Sequence, residues 1–263
     1  MKAVKTDDGS FSFYSDVYGE TYHSRNGALR ESFEKYCRPC GIKALARGGA
    51  ISILDVGFGL GYNVLAALYS AKDANSDCQI NVISLEKDLI DFKVLNKIEV
   101  PSRYRGLYRI VLQALKEKRY FSDGINIRIL CGDAREEVKK VDECFDAVFL
   151  DPFSVKKNPQ LWTVHFFKTL YKRMKEDAML ATYSVSTPVR AGLVEAGFHI
   201  GEGPGDKMKR GGTVASKKAD HLFMNSRNLE KLKNSPERIP FYDPPLNFTA
   251  REIFSYREKL KEK

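Results

Sequence analysis

Five apolar runs mark the middle of the chain, at 51–56, 80–85, 125–130, 145–150 and 178–183. They are short and bounded by polar and turn residues, which predicts strands. The intervals change period. Val64, Leu65, Ala67 and Leu68 follow the first run at helical spacing, and the stretch after the second run reads as largely helical to Lys118. Leu161, Val164, Leu170, Tyr171 and Met174 predict a helix from about 161, and Val189, Leu193 and Val194 another from about 188. Segments 198–200 and 213–216 add two more strands. Strands alternating with helices imply an α/β fold with a doubly wound, mostly parallel, seven-stranded sheet.

The flanks read differently. Residues 1 to about 26 are polar and aromatic, with a turn signal at Asp7-Asp8-Gly9-Ser10 and short strands around Phe11, Phe13 and Val17. A helix follows from Asn26-Gly27, with Leu29, Phe33, Tyr36 and Cys37 on one face, ending near Pro39 and Gly41. Residues 225–263 are rich in Lys, Pro and Glu, with an extended Tyr242-Asp-Pro-Pro245 and a charged terminal helix. The expected organisation is an amino-terminal extension (1–45), a main domain (46–224) and a tail (225–263).

The middle also holds the densest chemical signal, Asp55-Val-Gly57-Phe-Gly59-Leu-Gly61-Tyr-Asn63. A strand ending in an acid, three alternating glycines and a helix start make a cofactor cradle. Glycine lets the backbone turn sharply and lie against a ligand, and the helix dipole points at it. No Lys-Ser or Lys-Thr follows, so a P-loop is excluded. Tyr62 stands where a dinucleotide fingerprint has its third glycine. A nicotinamide or flavin site and a structural turn are the competing readings. The acid ahead of the glycines resembles class I S-adenosylmethionine-dependent methyltransferases, whose loop accommodates the methionine part of the cofactor.

Acids recur at the next strand ends. Glu86 closes the second run, where a carboxylate can accept from both ribose hydroxyls. Asp133 follows the third, placed to accept from an adenine amino group while the Ala134 amide donates to a ring nitrogen. Asp151 ends the fourth. One such acid alone reads as a helix cap or a solvated charge. Four at successive strand ends point to one S-adenosyl-L-methionine site, because ligands of such sheets bind beyond the carboxyl ends of the strands.

Composition narrows the setting. Hydrophobic residues at 43% and charged residues at 29% fit an ordinary globular domain. No apolar run is long enough to span a bilayer, and Met1-Lys-Ala-Val-Lys5 opens no signal-peptide core. The expectation is a cytoplasmic protein with no membrane partner. The net charge of +9 favours an anionic partner, although abundant Lys and Glu also serve heat-adapted ion networks. Lys207, Lys209, Arg210, Lys217 and Lys218 cluster without an acid, and Lys156-Lys157 form a second basic pair. Such groups suit phosphate contacts or stand as solvated surface charge. The Cys37-Arg-Pro-Cys40 pair has no second CxxC, so free thiols and no metal site are expected.

Asp151-Pro-Phe-Ser154 resembles the Asp/Asn-Pro-Pro-aromatic motif of enzymes that methylate exocyclic amines. A carboxylate there can orient the amine's hydrogens and accept its developing charge; the competing reading is a simple strand stop. The longer segment Phe149-Leu-Asp-Pro-Phe-Ser-Val-Lys-Lys-Asn-Pro-Gln-Leu-Trp162 resembles the MnmC-type tRNA methyltransferases. Thr6-Asp-Asp-Gly-Ser10, Tyr22-His-Ser-Arg-Asn-Gly-Ala28, Ala181-Thr-Tyr-Ser184, Lys209-Arg210 with Thr213-Val-Ala-Ser216, Tyr242-Asp-Pro and Thr249-Ala-Arg-Glu-Ile253 extend the resemblance over nearly the whole chain. Val155 departs from the family's usual proline.

The resemblance implies a class I, Rossmann-like fold and S-adenosyl-L-methionine as cofactor. It implies N-methylation of the 5-aminomethyl group of wobble uridine, or 2-thiouridine, in the tRNA anticodon. Asp55, Gly57, Gly59, Glu86, Asp133 and Ala134 would hold the cofactor, with Tyr22, His23 and Asn63 covering it. Asp151 would be catalytic and Phe153 would stack on the uracil. Lys156, Lys157, Lys207, Lys209 and Arg210 would meet tRNA phosphates, and Trp162 either stacks on a base or anchors a helix start from inside. Many relatives carry a fused flavin-dependent oxidase. This sequence shows no flavin fingerprint, so no fused oxidase domain is expected, and a separate enzyme would supply the aminomethyl precursor. The alternatives are a methyltransferase for another amine, of a small molecule or protein, and a tRNA-binding module without catalysis.

Overall fold

The computed structural model describes residues 2–23, 27–204, 211–220 and 222–262. Strands β1 (Lys2–Lys5), β2 (Phe11–Ser15) and β3 (Glu20–Thr21) form a small antiparallel sheet. The apolar runs build a second, larger one from β4 (Ala50–Val56), β5 (Gln79–Glu86), β6 (Arg119–Ser122), β7 (Ile125–Cys131), β8 (Phe145–Leu150), β9 (Met174–Thr182), β10 (His199–Glu202) and β11 (Thr213–Ser216). Its order is β10-β11-β9-β8-β4-β5-β7-β6. The neighbours from β9 through β8, β4 and β5 to β7 pair in parallel, whereas β11 and β6 run against them.

The sheet thus has eight strands rather than seven. The extra one is β6, which folds back on β7 through Asp123-Gly124, both at positive φ, as a two-residue hairpin turn requires. Three of its four residues are exposed, so it carries no apolar run.

Alternation along the strands sorts the core into two layers. Ile51 and Ile53 of β4 and Ala147 and Phe149 of β8 face the layer formed by helices Tyr62–Ala74 and Arg105–Glu117. Leu54, Val56, Val148 and Leu150 face the opposite layer, with helices Val164–Lys172 and Thr187–Glu195. This is the doubly wound arrangement, and the strand order reverses between β4 and β8. Beyond that reversal a crevice opens at the carboxyl strand ends.

One flanking segment covers it, and the other braces a residue of its wall. Residues 18–23 lie over the crevice. Asp243 of the tail is fully buried against Arg135, and the tail ends in helix Ala250–Lys261, opened by a Thr249–Glu252 capping box. Among the described residues no helix is long and apolar enough to cross a membrane.

Candidate active site

A cavity of about 510 Å³ fills the crevice. Its wall collects Gly57, Gly59, Asn63, Glu86, Asp133, Ala134, Asp151, Phe153 and Lys157 from the strand ends, and Tyr22 and His23 from the amino-terminal segment. Eleven of the residues singled out from sequence therefore meet in one place.

The glycine loop shows why it needs glycine. Gly57 has φ +101°, and a Cβ there would stand 2.6 Å from the Asp151 carbonyl oxygen. The loop is thereby pressed against the end of β8. At Gly59, φ is +51° and a Cβ would approach the Tyr22 ring at 3.3 Å. The Gly59 amide donates to Glu86 Oε2 at 3.0 Å, and the Asp88 amide donates to Oε1 at 3.1 Å. Burial raises the Glu86 pKa, against the pull of these amides. An acid at the end of β5, a bare loop at the end of β4 and Asp133-Ala134 at the end of β7 fit an adenosyl group with a methionine tail.

Asp133 is tightly held. Arg135 donates to both its oxygens, with Nη2 at 2.6 Å from Oδ2, and also reaches Asp243 at 2.7 Å. The arginine and its hydrogen bonds keep the Asp133 carboxyl below its ordinary pKa although burial opposes them. A planar guanidinium that grips two carboxylates fixes geometry as well as charge.

Asp151 sits at the other side of the same row. Its Oδ1 accepts from the Tyr36 hydroxyl and its Oδ2 accepts from Asn63 Nδ2 at 2.8 Å. Burial pushes its pKa up to about 7, against these two donors. Near neutral pH the carboxyl therefore exists in both forms and can accept a proton at modest cost. The Tyr36 phenol is itself held far above its usual range by burial and by Asp151, so it remains a donor.

Around Asp151 stands an aromatic wall. Phe153 stacks on Tyr18 with centroids 4.0 Å apart and meets Tyr22 edge-on at 5.0 Å. Tyr183 donates to the Pro152 carbonyl at 2.9 Å, and Glu20 accepts from the Ser154 amide and hydroxyl. Burial, with Glu86 nearby, raises Tyr22 to about 12, and burial lowers His23 to about 4, so His23 is neutral near pH 7.

Three expected site residues lie elsewhere. Asp55 is fully buried and off the cavity wall; it shares the face of Ile51 and Ile53, where Ser84 donates to its Oδ2 at 2.5 Å. Trp162 is also fully buried, and its indole N–H donates to the Phe153 carbonyl at 2.9 Å. It anchors the Asp151–Phe153 turn from inside and presents no face to a base. Lys156 is exposed outside the cavity. Lys207, Lys209 and Arg210 lie outside the described residues.

Conversely, Tyr18, Glu20, Tyr36 and Tyr183 join the site although the sequence assigned none of them a part in it; Tyr183 stood only within the Ala181–Ser184 match. Tyr36 carried helical spacing and read as core. It is carried on a π-helical turn, Phe33–Cys37, a distortion frequent at functional sites.

The fold and this cavity define a Rossmann-like, S-adenosyl-L-methionine-dependent methyltransferase. A family model described as S-adenosyl-L-methionine-dependent methyltransferase matches residues 101–218. The crystal structure of MnmC2 from Aquifex aeolicus is 37% identical with a TM-score of 0.93, over all of this chain and 85% of its own. An uncharacterised protein of Methanocaldococcus jannaschii, MJ0670, is 33% identical over 99% of this chain and 72% of its own length. The tRNA 5-methylaminomethyl-2-thiouridine biosynthesis bifunctional protein MnmC of Azoarcus sp. (strain BH72) is 32% identical over 75% of this chain. The match covers 33% of that bifunctional relative. The chain belongs to the MnmC-type methyltransferase family.

Proposed function

We propose that this enzyme methylates the primary amine of 5-aminomethyluridine, or its 2-thio form, at the wobble position of tRNA. The observation that carries the reading is Asp151, held by two donors on the wall that also carries the cofactor-type residues. The bifunctional MnmC relatives, named for tRNA 5-methylaminomethyl-2-thiouridine biosynthesis, supply the substrate class. A tRNA substrate in turn suits the +9 net charge and a cytoplasmic setting.

Glu86, Asp133, Ala134 and the Gly57–Gly59 backbone would hold the cofactor, with Tyr22 and His23 over it. The bound cofactor supplies an electrophilic methyl group. The chain's own part is to present the amine. Tyr36 and Asn63 each occupy one Asp151 oxygen, so the remaining lone pairs are fixed toward the cavity. Ionised Asp151 accepts a hydrogen bond from the neutral amine, which leaves the nitrogen lone pair pointing away from it, and takes up the proton that the nitrogen sheds once the methyl group has bonded. Phe153, backed by Tyr18, offers a flat apolar surface for the uracil. The Tyr18–Tyr22 segment limits water at the reacting centre.

The test is incubation with S-adenosyl-L-methionine and tRNA bearing 5-aminomethyluridine, followed by nucleoside mass spectrometry. A gain of one methyl on that nucleoside is expected. No gain there, or methylation only of free small amines or of protein, overturns the reading.

A further inference from the structure

The active-site cavity has a neighbour. A second cavity, of about 640 Å³, opens at the same end of the sheet, where β9 and β10 finish and β11 begins. Tyr183 belongs to both walls, and its hydroxyl donates to the Pro152 carbonyl, one residue from Asp151. From β8 to β11 is two strand spacings, roughly 10 Å. A nucleobase and a nearby backbone phosphate of the same strand are separated by a similar span. The second cavity has no part in the chemistry described so far.

Its wall is basic. Arg190, Arg227 and Lys231 line it, against one acid, Glu202. Arg190 is 4% exposed. Its Nε donates to Thr213 Oγ1 at 2.9 Å and its Nη2 to the Gly212 carbonyl at 3.5 Å, both neutral partners. Among the described residues its Nη1 makes no hydrogen bond, and no carboxylate forms an ion pair with the guanidinium. A buried cation without a paired anion is costly, and a bound anion would offset that cost. A guanidinium edge also matches two phosphate oxygens. The Arg190 amide bonds to the Ser186 carbonyl at 3.1 Å, so Ser186 stands one helical turn away on the same wall. Its Oγ is buried with no partner and caps nothing at the start of helix Thr187–Glu195. Two donors on one wall are thus unused.

The mouth is built to hold its charges. Helix Ser226–Asn234 buries none of its residues, so no core holds it. Asn225 caps it by accepting from the Asn228 amide at 2.9 Å. Glu202 ties it to the end of β10, accepting at Oε1 from the Asn225 amide at 3.1 Å and from Asn228 Nδ2 at 2.7 Å. The one acid on the wall is thereby occupied by donors. Arg227 and Lys231, four residues apart, share the helix face toward the cavity. We propose that this cavity binds a backbone phosphate of the tRNA, next to the nucleotide whose base enters the active site, with Arg190 at its floor and Arg227 and Lys231 at its mouth. The cavity is larger than the active-site crevice, so it admits the sugar–phosphate chain as well as the phosphate. The site rests on the tRNA reading given above.

The experiment measures binding of tRNA bearing 5-aminomethyluridine, without the methyl donor, as a function of salt. The double variant Arg227→Ala, Lys231→Ala alters only exposed positions. It should weaken binding roughly tenfold. The slope of log K against log salt should become shallower by about 0.7, one phosphate's share for a single strand. Arg227→Lys with Lys231→Arg keeps both charges and should bind as wild type does. Affinity for S-adenosyl-L-methionine within about threefold of wild type reports an intact fold. A second series replaces single phosphates on either side of the wobble nucleotide with neutral methylphosphonates. One of them should weaken binding to wild type and have no further effect on the alanine variant. Arg190→Gln should lose the contribution of that same phosphate; if it fails to fold, the helix variant decides. Unchanged binding and salt slope in the alanine variant, or losses that add fully at every phosphate, overturn the proposal. Competition by inorganic phosphate without any response to the methylphosphonates makes this a free-anion site and also overturns it. Binding is read without turnover, so the site is decided even if no methyl group reaches 5-aminomethyluridine.

Discussion

Tyr36→Phe isolates one hydrogen bond at the proposed reacting centre. The substitution keeps the ring, which is 1% exposed and packs near Phe149, and removes only the hydroxyl that donates to Asp151 Oδ1. A hydrogen bond to a charged acceptor is worth about 1.5–3 kcal/mol, and about 1.4 kcal/mol corresponds to one pKa unit. The donor favours the ionised carboxylate, so its loss raises the pKa. Asp151, at about 7 in the wild type, should move to about 8–9. At pH 7 the ionised share would fall from about a half to between about a tenth and a hundredth, a loss of roughly 5- to 50-fold in kcat/KM. The assay is kcat/KM against pH for both proteins. Their ratio cancels the titration of the substrate amine. Activity should return as pH rises above the shifted pKa. A pH-independent loss, or an unmoved limb, would refute the assignment of that limb to Asp151.

Other outcomes follow from the same geometry. Asp151→Ala should abolish turnover while calorimetry shows cofactor affinity within about threefold of wild type; normal activity would remove Asp151 from the mechanism. Gly57→Ala meets the Asp151 carbonyl and a positive φ, so it should lower stability by roughly 1–3 kcal/mol, seen as a Tm lower by about 2–12 °C, and weaken cofactor binding. Asp243→Ala leaves buried Arg135 short of a partner, which should cost about 3–5 kcal/mol and raise the cofactor Kd by loosening Asp133; an unchanged Kd would separate the tail from the site.

The parallel strands were legible because each is an apolar run closed by a polar residue, and the acids at those ends led directly to the cavity. Strand β6 was not, since its exposed residues leave only the Asp123-Gly124 turn as a signal. Seven strands became eight for that reason. Within the site, sequence does not give how far each strand runs on past its acid. Asp55 lies inside β4, in register with Ser84, and is covered, whereas Glu86 is the last residue of β5 and Asp133 lies beyond β7, where both line the cavity. Tyr36 was hidden because aromatic residues at helical spacing read as core, and only the fold brings position 36 to position 151. Trp162 kept two readings until burial and the bond to the Phe153 carbonyl decided between them.

The proposed reaction places the methyl group on one nitrogen. The direct measurement uses S-adenosyl-L-methionine with an isotopically labelled methyl group, tRNA carrying 5-aminomethyluridine, and tandem mass spectrometry to locate the label. Label is expected on the exocyclic aminomethyl nitrogen, and none on tRNA whose amine still bears a carboxymethyl group. Label on the uracil ring or the ribose, or equal labelling of both tRNAs, would contradict it.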